Sequence, residues 1–595
     1  MKAKDYLRLL KNHIDITRVP FSDRGSRLLV FKYPDRNQLY IKLAERLIHL
    51  EPNIEAYLHR QPYIQNMAFI DGDGNELDFE VSCNPYQLLF KTRIGVFEFV
   101  FQEPQTLAIG LPRGMNSGFR FVVFPQYWKS TATGGEFIAV RDLIYTTSGK
   151  VLQNKIRPVE GGFEVEFIVK GGRDSSAVVG VYSLERNQKQ LEPFSKVREA
   201  AKNRWLDWFS RAPEVSPKYA RTYAYAWWVM ANNLISPLGE VLFEAMTPSK
   251  LGYIGLWLWD NAMHALAYRH VDAELARNQI RSMLAHQLPN GMIPDVVYDD
   301  GIVATIDHPI TAEVTKPPIL AWAVLKLHEI DPDLDFLTEV YVPLMRLNAW
   351  WFAMNDDDGD GLAQYNHPYS SGLDDSPLWD EGMPVESPEL NTYLCVQVGS
   401  LAMIAEELNM QADAAMWRRR ASSIVSRIIE HFWDPEAGLF WVKKYHQPVR
   451  VVTPFNLYPL WTGQLPDDIK GRLLQHLTNP DMFWGPYVLP TVARNDPHYD
   501  PQTMWRGPVW ANVNYFFIEA LRQVGEDRLA DELRDRTLEM IMAHQDIYEY
   551  YNAETGEPPA RAANIFGWTS AVFIDLAIQA TRAAREKGMG KNEQP

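Results

Sequence analysis

The spacing of apolar residues changes near residue 200, and this change limits the fold more than any other feature of the sequence. From about 25 to 195, apolar and polar residues alternate, as in FEVEFIVKGG at 163–172. One face of that segment carries Phe163, Val165, Phe167 and Val169. The run AFIDGDGNELDFEV at 68–81 is typical of two strands joined by an Asp-Gly turn. Several such strands without a long helical stretch predict an antiparallel β-sandwich.

After residue 196 the spacing becomes helical. SKVREAAKNRWLDWFSRA reads as a linker helix, closed by Pro213 and Pro217. About twelve helix-like segments follow, near 217–235, 259–270, 272–287, 311–330, 335–354, 389–408, 411–432, 454–461, 466–477, 510–524, 526–544 and 567–586. A dozen helices predict an α/α toroid, six inner and six outer, with a pocket formed by loops at one end. A helical solenoid would have a similar number, but we find no sequence repeat of roughly 34 to 45 residues.

The length and the two patterns together predict the domain organisation. At 595 residues the chain exceeds one ordinary hydrophobic core, so two domains are expected. We place an N-terminal β-sandwich domain at 1–195, a linker helix at 196–216 and an all-α (α/α)6 barrel domain at 217–588.

Charge and cysteine content exclude several classes of protein. A net charge of −16 argues against nucleic acid or anionic lipid as a partner, because both need basic surface. Cys83 and Cys395 are the two cysteines, without a CxxC motif, so a disulfide framework is not expected and a reducing, cytoplasmic location is predicted. The N-terminal segment lacks the apolar core of a signal peptide, and no apolar run approaches the roughly 20 residues of a membrane span.

Aromatic residues make up 12% of the chain. Large cores bury many rings, which is one explanation; the other is a carbohydrate site, where rings stack on sugars. Trp259-Asp260, Trp379-Asp380 and Trp505-Arg506 place tryptophans beside charged residues rather than in apolar runs, which favours a site.

Two acidic motifs stand out within the helical half. SGLDDSP surrounds Asp374, and YEYYNAETGEPPARAANIFGWTS begins at Tyr548 and contains Glu549. Hydrolysis of a glycosidic bond with inversion needs two carboxyl groups, one to protonate the leaving oxygen and one to deprotonate water. Taken alone, either acid is as easily explained as part of a loop.

Five motifs resemble glycoside hydrolase family 63, in family order. They are LWLWDNAMHAL (256–266), QLPNGMIPD (287–295), SGLDDSP (371–377), MWRGPVWANVNYF (504–516) and FGWTSAV (566–572). The family contains processing α-glucosidases, bacterial α-glucosidases and mannosylglycerate hydrolases, and the family 37 trehalases are related to it. The resemblance implies an (α/α)6 barrel catalytic domain, often preceded by a β-sandwich, and hydrolysis with inversion.

The resemblance implies the catalytic pair. Asp374 matches the family's general acid in SG-x-D, and the adjacent Asp375 could raise its pKa by like-charge repulsion. Glu549 fits the family's general base best. Glu554 and Glu557 lie in a TGE turn and are alternatives, and alignment on the trehalase pattern would favour Glu557.

The resemblance also implies a set of substrate-binding residues. They are Trp257, Trp259, Asp260, Lys316, Tyr369, Trp505, Arg506, Gly507, Trp510 and Trp568. Asp260 would hold sugar hydroxyls, and Trp510 and Trp568 would form walls. Two positions depart from the family: Met504 replaces a usual Tyr and Lys316 a usual Gln. Either could remove a hydrogen bond to the sugar, and Lys316 could select an anionic aglycone.

The segment NDDDGDG at 355–361 has the D-x-D-x-DG spacing of a calcium loop. Its candidate ligands are Asp356, Asp358 and Asp360. The twelfth position, where such loops carry Glu, is His367. A metal-free acidic turn is therefore the alternative to a structural calcium site; no other cofactor is expected.

The resemblance implies an inverting, exo-acting α-glycosidase, first of all an α-glucosidase acting on short α-linked glucosides. The leading alternative is a mannosylglycerate or glucosylglycerate hydrolase, with Arg506 or Lys316 holding the carboxylate. A trehalase, a phosphorylase and a non-catalytic sugar-binding protein are further alternatives. The expected partner is a small carbohydrate, not nucleic acid or a membrane, and the sequence leaves the oligomeric state open.

Overall fold

The computed structural model describes residues 2–46, 59–172, 174, 176–182 and 191–589. The chain forms two compact units. Unit 1 comprises 1–212 with 231–236, and unit 2 comprises 213–230 with 237–595.

Unit 1 is built around two antiparallel sheets. Its strands are β1 (Leu28–Lys32), β2 (Leu39–Leu43), β3 (Ile64–Asp71), β4 (Glu80–Asn84), β5 (Gln87–Thr92), β6 (Gly95–Glu103), β7 (Thr106–Gly110), β8 (Ser117–Val123), β9 (Tyr127–Ser130), β10 (Gly134–Ile138), β11 (Asp142–Thr147), β12 (Lys150–Val159), β13 (Gly162–Lys170) and β14 (Ser176–Tyr182). One sheet has the order β1-β2-β3-β8-β13-β12 and the other β4-β5-β6-β7-β14-β11-β10-β9.

Aromatic side chains fill the space between the two sheets. Phe69 of β3 lies 4.2 Å from Phe97 of β6, measured between ring centroids, and Phe167 of β13 lies 5.2 Å from Tyr145 of β11. These contacts make the pair of sheets a sandwich. The turn predicted after Asp71 is present, with Gly74 at φ +86°. Across the turn the chain pairs back on itself briefly, at the antiparallel bridge between Ile70 and Glu76. The longer strands on either side, β3 and β4, belong to different sheets.

The helix Phe194–Ser210 covers most of the predicted linker helix. It packs within unit 1. Its residues Phe194, Val197 and Ala201 are buried with Val100 and Ala108 of the larger sheet. The helix Ala3–Leu10 also belongs to this unit.

Unit 2 contains the twelve remaining helical segments of the described chain longer than four residues. They are Ala220–Asn232, Leu258–Tyr268, Ala273–Leu284, Leu320–His328, Leu334–Met354, Pro388–Glu407, Gln411–Phe432, the 3₁₀ segment Pro454–Thr462, Asp467–Leu477, Ala511–Gln523, Asp527–Met542 and Gly567–Met589. The first of these runs across the boundary between the two units.

Every second segment belongs to an inner ring that closes on itself. Its members, each in contact with the next, are Leu258–Tyr268, Leu320–His328, Pro388–Glu407, Pro454–Thr462, Ala511–Gln523 and Gly567–Met589, and the last contacts the first. Every residue of Leu258–Tyr268 is buried, as expected for an inner helix. The arrangement is an (α/α)6 barrel.

Short strands connect the helices of unit 2, such as Val296–Tyr298 and Val385–Glu386. The description "all-α" therefore fits its helical ring and not the whole unit. Within the described residues, no helix is both long and apolar enough to cross a membrane.

Candidate active site

The predicted site residues come together where the inner helices begin. Trp259 lies in the first turn of Leu258–Tyr268 and contacts Trp505, which precedes Ala511–Gln523, at 6.0 Å between ring centroids. It also contacts Trp568, at the start of Gly567–Met589, at 5.1 Å. Residues more than 300 positions apart thus meet at one end of the barrel.

The loop that carries Asp374 is shaped by Gly372. Gly372 has φ +71°, and a Cβ atom there would lie 2.3 Å from the ring of Trp259. Glycine therefore permits both the left-handed backbone and the close approach of the indole. The preceding 3₁₀ turn, Pro368–Ser371, is capped by His367, whose Nδ1 accepts a hydrogen bond from the Tyr369 N–H at 3.1 Å.

Asp374 is suited to holding a proton. Its Oδ1 is buried and accepts no hydrogen bond from the described residues. Burial raises its pKa to about 7; the positive charge of Lys316 acts against this, and the charges of Asp295 and Asp375 add to it. Asp375 turns elsewhere, since its Oδ1 accepts a hydrogen bond from the Trp505 N–H at 2.9 Å.

Glu549 is the buried member of the three candidate bases, with 2% of its surface exposed. Its Oε2 accepts a hydrogen bond from the Ala563 N–H at 3.2 Å, and the Tyr253 hydroxyl donates another. Burial raises its pKa to about 8, and the charges of Asp260 and Asp374 contribute to the increase. The effect of the Asp374 charge on Glu549 places the two carboxyl groups in one electrostatic environment.

Glu554 and Glu557 are much more exposed. Glu554 pairs with Arg494 at 2.9 Å, and its side chain is 41% exposed. The side chain of Glu557 is 74% exposed, with His544 3.8 Å away. Neither has the shielded setting of Glu549, so the geometry favours Glu549 over both.

Lys316 contacts other parts of the protein, whereas the sequence predicts that it contacts substrate. Its Nζ lies 2.6 Å from Asp295 Oδ1 and donates a hydrogen bond to the Tyr369 carbonyl at 2.5 Å. Its side chain is 8% exposed. Two of the three N–H donors of Lys316 thus face protein groups, and its role in binding a substrate carboxylate stays a prediction.

Asp260, like Lys316, is buried, and burial raises its pKa well above the usual range, against the opposing charge of Lys316. Trp257 is partly exposed, and its indole N–H donates to Asp295. Tyr369 is also partly exposed.

Trp505, Trp510 and Trp568 form a packed cluster rather than open faces. The rings of Trp505 and Trp510 stack at 3.7 Å between centroids, and Trp510 contacts Trp568 at 5.6 Å. Each is at most 3% exposed. In this structure they support the loops beneath the site, and their direct contact with substrate stays a prediction.

Arg506 and Gly507 lie on the loop before Ala511–Gln523. Arg506 forms an ion pair with Asp380, with Nη1 3.1 Å from Oδ2. A Cβ atom on Gly507 would lie 2.6 Å from the Asp500 carbonyl oxygen, so only glycine fits there. The resemblance implies a carboxylate partner or sugar oxygens for Arg506, and the structure pairs it with the carboxylate of Asp380.

The sequence reasoning assigned no role to Tyr253 or Asp295. Asp295 ends the QLPNGMIPD motif, which was a usable signal. No sequence signal points to Tyr253, because its hydrogen bond to Glu549 joins residues almost 300 positions apart.

The acidic loop brings its three predicted ligands together. One carboxylate oxygen each from Asp356, Asp358 and Asp360 lie within 4.8 Å of one another. Backbone N–H groups satisfy part of this charge, as in the 3.0 Å bond from Gly361 to Asp356 Oδ2.

Beside this loop lies a second group that the sequence did not reveal, formed by Glu386, His431 and His446. His431 Nδ1 is 3.6 Å from Asp360 Oδ2. His367 is not a ligand candidate, since it caps the turn before Asp374. Calcium binding at the acidic loop stays a prediction.

Comparison with known proteins places unit 2 among glycoside hydrolases. A model described as the mannosylglycerate hydrolase MGH1-like glycoside hydrolase domain matches residues 253–569. Mannosylglycerate hydrolase of Thermus thermophilus is 28% identical over 393 residues, which cover 53% of this chain and 93% of that protein.

Two solved structures share the fold. A GH63 mannosylglycerate hydrolase from Thermus thermophilus, in complex with Tris and D-glycerate, has a TM-score of 0.53 at 24% identity and covers 60% of this chain and 99% of its own. A bacterial glucoamylase complexed with acarbose has a TM-score of 0.58 at 11% identity, covering 95% and 94%.

Proposed function

The chain belongs to the mannosylglycerate hydrolase MGH1-like glycoside hydrolases of family 63, and from this premise we propose that it hydrolyses a terminal α-glycosidic bond with inversion. Asp374 is the general acid and Glu549 the general base in this proposal. The observation that carries it is the pair of shielded carboxyl groups on loops that precede two different inner helices.

The proposed reaction needs one proton on the pair of carboxyl groups, held by Asp374 and not by Glu549. Asp374, whose pKa is raised to about 7, donates its proton to the departing glycosidic oxygen. Glu549 in its ionised form takes a proton from water as the water attacks the anomeric carbon from the opposite side. The products are a free sugar of inverted configuration and the aglycone alcohol. One proton has moved from Asp374 to the leaving oxygen and one from water to Glu549.

The first proposed substrate class is short α-linked glucosides. A second candidate is a glycoside of glycerate, since the relative from T. thermophilus is a mannosylglycerate hydrolase. Lys316 and Arg506 are already paired, but Arg561 is exposed and forms no ion pair with the described residues. Its charge lowers the pKa of Asp375, after larger effects of burial and of neighbouring groups. Arg561 is therefore the available cation for a carboxylate on the aglycone.

A proton NMR time course tests inversion directly. Purified enzyme with maltose, trehalose, mannosylglycerate, glucosylglycerate or the uncharged glucosylglycerol should release the β-anomer first from at least one of them. With every substrate except trehalose, whose second glucose leaves as the α-anomer under either mechanism, first release of the terminal sugar as the α-anomer would refute inversion. No turnover of any substrate would count against the glycosidase proposal.

The same panel separates the two substrate classes. If glycerate is the natural aglycone, Arg561→Gln should lower kcat/KM for the glycerate glycoside by about tenfold to a hundredfold and leave glucosylglycerol almost unaffected. Arg528→Gln is the matched control, because Arg528 is also exposed in unit 2. Equal losses on both substrates would remove Arg561 from carboxylate binding.

A further inference from the structure

Lys316 connects three segments that lead into inner helices. It lies four residues before Leu320–His328, pairs with Asp295 at 2.6 Å and binds the Tyr369 carbonyl at 2.5 Å. Asp295 in turn accepts from the indole N–H of Trp257, at the start of the first inner helix. One ammonium group therefore holds together the walls of the proposed site.

The contact with Tyr369 bears on the general acid. Tyr369 lies in the 3₁₀ turn Pro368–Ser371, and Gly372 follows that turn with a left-handed backbone. Asp374 is two residues beyond. The turn is thus fixed at one end by His367 and in its middle by Lys316, which leaves the carboxyl group of Asp374 little freedom of position.

The charge of Lys316 also reaches Asp374. Lys316 stays protonated, since burial, which would lower its pKa, is outweighed by the charges of Asp295, Asp374 and Asp260. The titratable groups around Asp374 are Lys316, Asp295, Asp375, Asp260, Glu549, Tyr253 and Tyr369. Lys316 is the cation in this otherwise acidic or neutral set.

We propose that Lys316 is a positioning residue for the general acid: it fixes the turn that presents Asp374 and supplies the positive charge beside it. This inference rests on the proposed function, because it assumes that Asp374 protonates the leaving group.

Two substitutions separate the two parts of the role. Lys316→Met removes both the hydrogen bond and the charge, whereas Lys316→Gln keeps a donor for the Tyr369 carbonyl and removes the charge alone. Lys326→Met is the matched control, because Lys326 is a largely buried lysine on the inner helix that follows Lys316, and it is paired with Glu519 at 2.7 Å.

The experiment measures kcat/KM from pH 5 to 10 for a glucoside with an alkyl leaving group and for 4-nitrophenyl α-glucoside. The alkyl leaving group needs protonation and the nitrophenolate needs little. We expect Lys316→Met to reduce turnover of the alkyl glucoside by about a hundredfold and of the nitrophenyl glucoside by less than tenfold. On the alkaline side of the plot of kcat/KM against pH, activity falls as Asp374 loses its proton. Both Lys316 variants should move this alkaline limb to higher pH, because loss of the cation raises the pKa of Asp374.

The outcomes are distinct. Equal losses on both substrates with an unchanged alkaline limb, as expected for Lys326→Met, would show a merely structural role and overturn the inference. If Lys316→Met does not fold, the limb position in Lys316→Gln decides the question. Full activity of Asp374→Asn on the alkyl glucoside would instead overturn the proposed function itself.

Discussion

At the scale of single residues, the site depends on how far each carboxyl group is shielded from water. Asp374 and Glu549 are shielded and have raised pKa values, while Glu557 faces solvent. Shielding from water lets Asp374 keep a proton near neutral pH. It also strengthens the electrostatic interaction of ionised Glu549 with a bound water.

Substitutions should distinguish the two proposed catalytic carboxyl groups from nearby acidic residues by their effect on activity. Asp374→Asn and Glu549→Gln should each lower kcat by a factor of about a hundred to ten thousand without unfolding the protein, because each removes one proton transfer. Glu557→Gln is the control and should keep activity within about twofold. An inactive Glu557→Gln beside an active Glu549→Gln would reverse the assignment of the base.

The pH dependence should be bell-shaped, with kcat/KM greatest between the two pKa values of about 7 and about 8. The reactive state carries one proton on the pair, held by Asp374 while Glu549 is ionised. Because Glu549 has the higher of the two pKa values, this state is a minority, about a tenth, of the singly protonated enzyme. Both groups are protonated at lower pH, so the base is lost; both are ionised at higher pH, so the acid is lost. Initial rates from pH 5 to 10 test this, and a maximum near pH 4 would contradict it.

Only part of this residue-level picture was accessible from the sequence. The motifs placed Asp374, Glu549, Trp259 and Asp260 in one site, because they are local patterns. The pairing of Lys316 with Asp295 was not accessible, since it depends on where two separate loops fold. Burial of the Trp505 and Trp510 rings was also unpredictable, because a tryptophan beside a charged residue can face either way.

At the scale of elements, the positions of most helices followed from apolar spacing, and the exceptions have local causes. The segment predicted at 311–330 begins as a helix only at Leu320, because Pro317 and Pro318 disfavour helix before it. The segment predicted at 454–461 is a 3₁₀ helix that contains Pro459. Apolar spacing predicts burial, but proline decides which kind of helix forms.

The turn before Asp374 should be sensitive to a single methyl group. Gly372→Ala places Cβ 2.3 Å from Trp259 and puts alanine in a left-handed conformation that costs about 1–2 kcal/mol. We expect kcat to fall at least tenfold, since the turn must shift.

Gly399→Ala is the control for that substitution. Gly399 lies in the inner helix Pro388–Glu407, and nothing lies within 4 Å of its added Cβ. It should keep activity and gain up to about 1 kcal/mol of stability. Kinetics and thermal unfolding of both variants make the comparison, and normal turnover by Gly372→Ala would show that the turn tolerates movement.

At the scale of the whole molecule, the barrel is a ring whose last inner helix must meet its first. Asp575 lies on the last inner helix, Gly567–Met589. It forms hydrogen bonds with Arg269 at 2.8 Å and His270 at 2.7 Å, two residues that directly follow the first inner helix. It also accepts a hydrogen bond from the Tyr515 hydroxyl at 2.8 Å. Despite burial, the charges of Arg269 and His270 hold the pKa of Asp575 well below its usual range. This buried network locks the ring.

Asp575→Asn should destabilise unit 2 by about 3–5 kcal/mol, because it leaves Arg269 buried without its partner. The stabilisation by Asp575 is present above the ordinary carboxyl pKa and disappears as the pH falls through its depressed folded value. Urea unfolding followed by tryptophan fluorescence measures the loss. Asp531→Asn is the control: Asp531 is partly exposed, and its buried partner Arg534 keeps a second ion pair with Asp535, so the loss should be less than about 1 kcal/mol.

Ring closure also has a consequence for the newly made chain. Arg269 and Asp575 are 306 residues apart. At roughly 5–20 residues per second, the ribosome needs about 15–60 s to make the intervening chain. For that interval the first inner helix, buried on all sides in the finished protein, lacks the neighbour that covers one of its faces. Its apolar surface must therefore stay out of wrong associations until the last helix has been made.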